Sequence, residues 1–272
     1  MTVDLDSLLP IAHSAVDIAA EIVRTHITGA VTAKGDRDMV TEIDFAVEQA
    51  VRTYLGERTP AFGFLGEEEG HAGTPSELTW VLDPVDGTAN LVHDIPLCAV
   101  SLGLVHRRRP VLGVIDVPFL RTRYSAARDH GALRDGQPIR SSDTKDLDQA
   151  IVAIGDYATG DNAHQRNRAR LAITAQLAAR TQRVRMLGSA AIDLAWLAEG
   201  KLDATIALSN KPWDTAAGVI IAREAGASVV DIDGTDHTLD STATIAATAT
   251  LIDQVAALVQ RAQAEQDAAL GG

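Results

Sequence analysis

Cys98 is the only cysteine among 272 residues, so no intrachain disulfide can form and a reducing cytoplasm is the expected compartment. Aromatic residues make up 4% of the chain, too few to offer an obvious stacking platform for bases or rings. No apolar run reaches the roughly 18 residues that a membrane-spanning helix needs. The first residues, "MTVDLDSLLPIAHSAVDIAAEIVRTH", lack the basic leading region of a secretory signal, which again points to the cytoplasm. Positive charge is scarce too: 24 Lys and Arg face 37 Asp and Glu, for a net charge of −13. Such a surface argues against nonspecific binding to nucleic acid or to an anionic membrane. It leaves room for a local positive field made by bound metal ions. The eight histidines show no HExxH or paired spacing, so a zinc site is not expected.

Apolar material is plentiful, at 46%. Leu8, Leu9, Ala12, Ala15, Val16, Ala19, Ile22 and Val23 recur at helical spacing and predict a first amphipathic helix capped by Asp6 or Ser7. The segment 33–44 reads as a loop, with a helix following from about Thr41 to Leu55 and a short strand in "AFGFLG". "CAVSLGLV" and "VLGVIDV" read as strands around a turn at 107–110, and 123–139 as a hairpin turning at Asp135-Gly136. The polar stretch 141–150 is the best boundary, giving an α+β part over 1–143 and an α/β part over 144–272. Beyond it strands alternate with helices at 164–180, around 189–200 and around 213–226, and a terminal helix closes the chain.

Three groups of residues carry chemistry. In "WVLDPVDGTAN", 80–90, an apolar strand runs into Asp83 and Asp86. Pro84 lacks the N–H that would continue the ladder. Two carboxylates about 4 Å apart repel by about 4 kcal/mol at an effective dielectric of 20, which a proton, a basic neighbour or a cation must offset. Clustered oxygen ligands suit Mg²⁺ or Ca²⁺, and the plainer reading is a turn with Asp as a capping residue. Gly87 adds backbone that can approach a ligand closely, and if a helix begins here its free N–H groups point at an anion. The second group is Glu67, Glu68 and Glu69, whose plainer reading is a solvated loop. The third is Asp214 in "PWDTAAG", whose plainer reading is a helix N-cap. Cys98 reads as buried and inert, Trp213 as an anchor at a helix entry, Arg107 to Arg109 as a solvated turn, and His93 as structural.

Taken in order, "GEE" at 66–68, "DPVDGTAN" at 83–90 and "WDTAAG" at 213–218 resemble the inositol monophosphatase family of Mg²⁺-dependent, lithium-sensitive phosphomonoesterases. "DMVTEID" at 38–44 and "LGSAAIDLAWLAEGKLDA" at 187–204 are similar to the intervening segments of that family, so the resemblance spans nearly the whole chain. It implies a layered α-β-α-β-α sandwich of α/β class, a site between the two parts, a homodimer, and a small phosphorylated metabolite as substrate. It implies two or three Mg²⁺ ions. Glu67, Asp83 and the carbonyl of Val85 would hold the first, and Asp83, Asp86 and Asp214 the second. Glu67 would help place a third, near Lys34. Gly87 and Thr88 would bind phosphate through backbone N–H groups, and Thr88 with Asp44 would activate water. Gly188, Ser189 and Ala190 would line the leaving-group side.

One departure bears on substrate. Inositol-phosphate enzymes of the family carry a Glu seven residues before the Trp-Asp aspartate, where this chain has Ala207. Lys211, Asn210 or Ser209 are the candidates to contact substrate instead, and activity on inositol phosphates is expected to be weak or broad. The loop from Lys34 to Asp38 is also one residue shorter than in the animal enzymes. Histidinol-phosphate, fructose-1,6-bisphosphate and 3′-phosphoadenosine nucleotide phosphatases remain alternatives, as does a regulatory role through protein partners.

Overall fold

The computed structural model describes residues 3–25, 31–33 and 39–270. Lys34, and with it the expected third-ion loop, lies outside the described residues. Helix α1 (Leu5–Thr25) is followed by a small antiparallel pair, β1 (Val31–Ala33) and β2 (Met39–Thr41), and by α2 (Glu42–Arg58). The helix α1 is capped by Asp4, whose Oδ1 accepts from Ser7 N at 3.3 Å, so Asp6 and Ser7 sit inside it rather than capping it. The expected loop over 33–44 holds the end of β1, all of β2 and the first turn of α2.

Eight strands then form one sheet: β3 (Gly63–Gly66), β4 (Gly70–Ala72), β5 (Leu78–Asp86), β6 (Ala99–His106), β7 (Arg109–Val117), β8 (Thr122–Ala127), β9 (Ala132–Arg134) and β10 (Gln137–Ile139). The order is β10-β9-β8-β7-β6-β5-β3-β4, antiparallel except for the parallel pair β3–β5. A short helix, α3 (Thr88–Val92), interrupts it after β5. Asp135-Gly136 turns β9 into β10 as expected, with β8 as a third strand beside them. A second sheet holds β11 (Ile151–Ile154), β12 (Arg183–Arg185), β13 (Ala204–Ala207), β14 (Ala227–Val230) and β15 (Thr244–Thr248) in the order β12-β11-β13-β15-β14. The helices of this half are α4 (Ala163–Arg180), α5 (Ala190–Ala198), α6 (Pro212–Glu224) and α7 (Ile252–Leu270).

The five layers follow from which faces are apolar. Val100, Leu102, Leu104, Leu112 and Val114 point from the first sheet into a core shared with Ala12, Val16, Val47 and Val51 of α1 and α2. The opposite face meets α5 and α6. Those two helices are covered on their other side by the second sheet, and α4 and α7 close its far face. Both faces of β6 and β7 are therefore buried, and their sequences run apolar without polar alternation.

The helix α6 lies so near the first sheet that side chains are excluded at the contact. Gly103 and Gly113 are cross-strand partners, and a Cβ on Gly113 would stand 2.6 Å from the Ala217 carbonyl oxygen. Ala216, Ala217 and Gly218 are small for this reason, and a Cβ at Gly218 would stand 2.6 Å from Leu194 in α5. We expect Gly113→Ala to lower stability by about 1–3 kcal/mol through overpacking. Urea denaturation checks it, and unchanged stability would contradict this account of the Thr-Ala-Ala-Gly segment.

Candidate metal and phosphate site

The strand pairing builds the acidic cluster. In the parallel pair β3–β5, Gly66 is the partner of Leu82. The next residues, Glu67 and Asp83, therefore emerge side by side at the C-terminal edge. The strand β5 does not stop at Pro84. It continues to Asp86 with an irregularity between Asp83 and Asp86, where Val85 N donates back to Asp83 Oδ1 at 3.0 Å. Asp214 comes from the first turn of α6. It is the third residue of that helix, behind Lys211 at the cap and Pro212 at the first position, and so is not the cap itself. One carboxylate oxygen from each of Glu67, Asp83 and Asp214 lies within 4.8 Å of the others.

Asp86 stands beside this cluster, fixed by the start of α5. Its Oδ2 accepts from Ser189 Oγ and from Ala191 N, both at 2.6 Å, while Ser189 Oγ also caps α5 by accepting from Ile192 N at 3.2 Å. Asn90 fastens the same corner by donating to the Leu97 and Leu187 carbonyls at 2.7 and 2.8 Å. Gly87, with φ 89°, has no room for a side chain, since a Cβ would stand 2.8 Å from Leu97 O. Its close approach is thus to the protein's own backbone. Thr88 opens α3 and donates its hydroxyl to Val85 O at 2.9 Å.

Burial raises the Asp83 carboxyl well above its usual range, and Glu67, Asp86, Asp214 and Asp44 raise it further. Asp214 is raised in the same way by burial, Asp86 and Glu67, with Lys211 opposing. Burial pushes Asp86 up to about 6 against the hydrogen bonds from Ser189, Ala191 and Ala190. All these donor atoms are carboxylate or carbonyl oxygens, and the carboxylates raise one another's pKa. That chemistry fits a hard divalent cation.

Asp86, Gly188, Ser189, Ala190, Ala207 and Asp214 line one cavity of about 230 Å³. Asp44 is buried in the first turn of α2, near enough to act on Asp83. Lys211 is exposed, its ammonium 5.1 Å from the centre of the Trp213 ring. Asn210, a candidate substrate contact, is engaged within the protein. Its side chain donates to Ser241 O at 2.8 Å and accepts from Thr244 Oγ1 at 2.9 Å, which ties β15 to the loop before α6. His93 is exposed, and Cys98 is fully buried with its thiol pushed up to about 12 by burial. Arg107, Arg108 and Arg109 are exposed at the turn between β6 and β7, as expected, with surface ion pairs to Glu77, Asp240 and Asp236.

Glu48, Asp156, Arg170 and Asp193 enter the site from the fold. Glu48, fully buried, accepts from Glu68 N and Glu69 N at 2.8 and 3.0 Å and so shapes the acidic turn. Its signal was a carboxylate on the apolar stripe of α2, one turn after Asp44. Asp156 lines the cavity just past the C-terminal end of β11, where open α/β sheets place ligands. Asp193 and Arg170 are buried on its wall. Arg170 shares the buried stripe of α4 with Ile173 and Leu177.

Residues 4–264 match the inositol monophosphatase family. The chain is 34% identical over 244 residues to inositol monophosphatase 1 of Solanum lycopersicum, covering 87% of this chain and 89% of that one. It is 35% identical over 244 residues to the inositol-1-monophosphatase ImpA of Mycolicibacterium smegmatis, covering 89% and 88%. Among solved structures, the extragenic suppressor protein SuhB of Bartonella henselae superposes with a TM-score of 0.87 at 28% identity, covering 93% of this chain and 98% of that one. With its layered α/β fold and its converging carboxylates, the chain belongs to the inositol monophosphatase family.

Proposed function

We propose that this protein hydrolyses a small phosphate monoester with Mg²⁺ held by Glu67, Asp83, Asp86, Asp214 and the carbonyl of Val85. The observation that carries the reading is the convergence of Glu67, Asp83 and Asp214 oxygens within 4.8 Å beside a cavity. When bound, two or three such ions lower the pKa of water and neutralise charge on the attacking and leaving oxygens. The chain supplies position. Gly87 and Thr88 present backbone N–H groups to phosphate, and Thr88 with Asp44 orients the attacking water. Ser189 keeps Asp86 aimed, Gly188 and Ala190 flank the leaving group, and Lys211 contacts the substrate. Positioning and charge stabilisation are what phosphoryl transfer chiefly needs. The cleft falls between parts 1–143 and 144–272 of a cytoplasmic homodimer.

Ala207 puts a methyl group where an acidic acceptor would hold sugar hydroxyls, and a site without that hydrogen bond discriminates weakly. Phosphate release from inositol 1-phosphate, fructose 1,6-bisphosphate, histidinol phosphate, 3′-phosphoadenosine 5′-phosphate and glycerol 2-phosphate, with and without Mg²⁺, tests both points. Mg²⁺-dependent release is expected, with inositol 1-phosphate within about tenfold of glycerol 2-phosphate. No release from any of the five would overturn the phosphatase reading.

A further inference from the structure

We infer that Arg170 forms a subsite for a second anionic group, so that the preferred substrate is a phosphate monoester whose leaving group carries a further phosphate or carboxylate. The inference rests on the phosphatase reading. It starts from a guanidinium that is out of place by the standards of this protein. Arg170 is 8% exposed. The other strongly engaged arginines have acidic partners: Arg52 pairs with Glu48 and Glu69, Arg123 with Asp17 and Asp116, and Arg223 with Asp236. Among the described residues, no carboxylate pairs with Arg170. It donates to Ser209 Oγ and, at 3.1 Å, to Arg166 O. Those two bonds leave most of its five N–H donors uncommitted.

A buried cation without a counter-ion is costly, and a guanidinium cannot escape by shedding its proton. Burial and the nearby Arg166 both press its pKa downward, and no acidic group opposes them. An incoming anion would remove that cost. Arg170 is placed to meet one. It lines the same cavity as Asp86 and Asp214, and also an adjoining open groove of about 730 Å³. Its partner Ser209 lies two residues beyond Ala207. The wall that would have offered an acidic acceptor to sugar hydroxyls therefore offers a methyl group and a guanidinium. Asp156, also on this wall, is exposed and does not pair with Arg170. Water screens its charge, and it remains available as an acceptor for a hydroxyl at the mouth. Arginine's planar fork suits phosphate and carboxylate alike.

The test compares substrates that differ by one anionic group: glycerate 2-phosphate against glycerol 2-phosphate, and fructose 1,6-bisphosphate against fructose 1-phosphate. In the wild type, kcat/KM is expected to be at least about tenfold higher for the member with the second anion, chiefly through KM. In Arg170→Met this ratio falls to within about twofold of one, with Arg170→Lys and Ser209→Ala in between. Because the ratio is internal to each protein, a partial folding defect cancels from it. A wild-type ratio near one, or a ratio unmoved in Arg170→Met, overturns the subsite while leaving the phosphatase reading standing. Absence of release sinks the phosphatase reading, and calorimetric binding of the same pairs then decides the subsite. Tighter binding of the dianionic member by wild type, lost in Arg170→Met, supports it. Equal binding overturns it.

Discussion

Asp214→Asn should abolish phosphate release, by about a thousandfold or more, and at the same time leave the metal-free protein as stable as wild type or more so. Both effects come from one carboxylate. In the absence of a cation, Asp214 stands against Glu67 and Asp83 with oxygens within 4.8 Å. Each such like-charge contact is worth up to about 4 kcal/mol at an effective dielectric of 20. Protonation absorbs part of that, which is why burial and its neighbours raise Asp214 so far. An amide of the same shape removes the charge without opening a cavity. A net gain of about 1–2 kcal/mol would raise the thermal midpoint by roughly 2–8 °C for a chain of this size. The same change deletes a ligand to the proposed Mg²⁺, so the midpoint no longer responds to Mg²⁺. A merely structural Asp214 would give the reverse: loss of stability with activity scaled only by the folded fraction. Asp86→Ala makes the contrast. It strands the Ser189 hydroxyl and the Ala191 N–H that Asp86 now accepts from, and should lower stability by about 1–3 kcal/mol near pH 4, where Asp86 is protonated and carries no ionisation cost.

Much of this arrangement was legible in the amino-acid sequence, and the part that was not has physical causes. Strands β6 and β7 are continuous apolar runs because both faces are buried, and their turn is marked by a charged run. Strand β15 is Ala- and Thr-rich, so nothing in its pattern separates it from a loop. It becomes a strand because β13 and β14 pair on either side of it. Glu67, Asp83 and Asp214 were visible as three acidic motifs, but their convergence depends on the Gly66–Leu82 register and on how closely α6 seats over Gly103 and Gly113. Asp214 looked like a cap because a helix capped there would start three residues later than the observed one, whose cap is Lys211. Asn210 looked like a free polar residue, since its partners Ser241 and Thr244 lie more than thirty positions away. Arg170 was hidden for a related reason. A single Arg in a helix reads as surface until α4 is packed against the loop that carries Ser209.

The stability of the metal-free protein should fall as pH rises from about 4 toward 8, and Mg²⁺ should cancel the fall. The sign follows from proton counts. Asp83, Asp86 and Asp214 all have folded pKa values raised above those of the unfolded chain. Between the two values the native state holds more protons than the unfolded state, so stability declines with pH and the penalty is complete above the raised values. For Asp86, raised from 3.8 to about 6, the penalty is about 3 kcal/mol at full ionisation, as an order of magnitude. His237 acts the other way over part of the same range. It is buried with its pKa pushed down to about 4, so it costs stability as pH falls. The quantity to measure is therefore the Mg²⁺-induced rise in thermal midpoint, from which His237 cancels. At pH 5 protons occupy the cluster and compete with the ion, so the rise should be small. At pH 8 the same Mg²⁺ concentration, about a hundredfold above its Kd, should give about 2.7 kcal/mol and a rise of roughly 5–10 °C, reversed by EDTA. Asp214→Asn should flatten both the metal-free pH slope and the response to Mg²⁺. A rise that is equal at the two pH values, or larger at pH 5, would mean that the ion does not replace protons on Asp83, Asp86 and Asp214, and the cluster would have to be stabilised by something other than a cation.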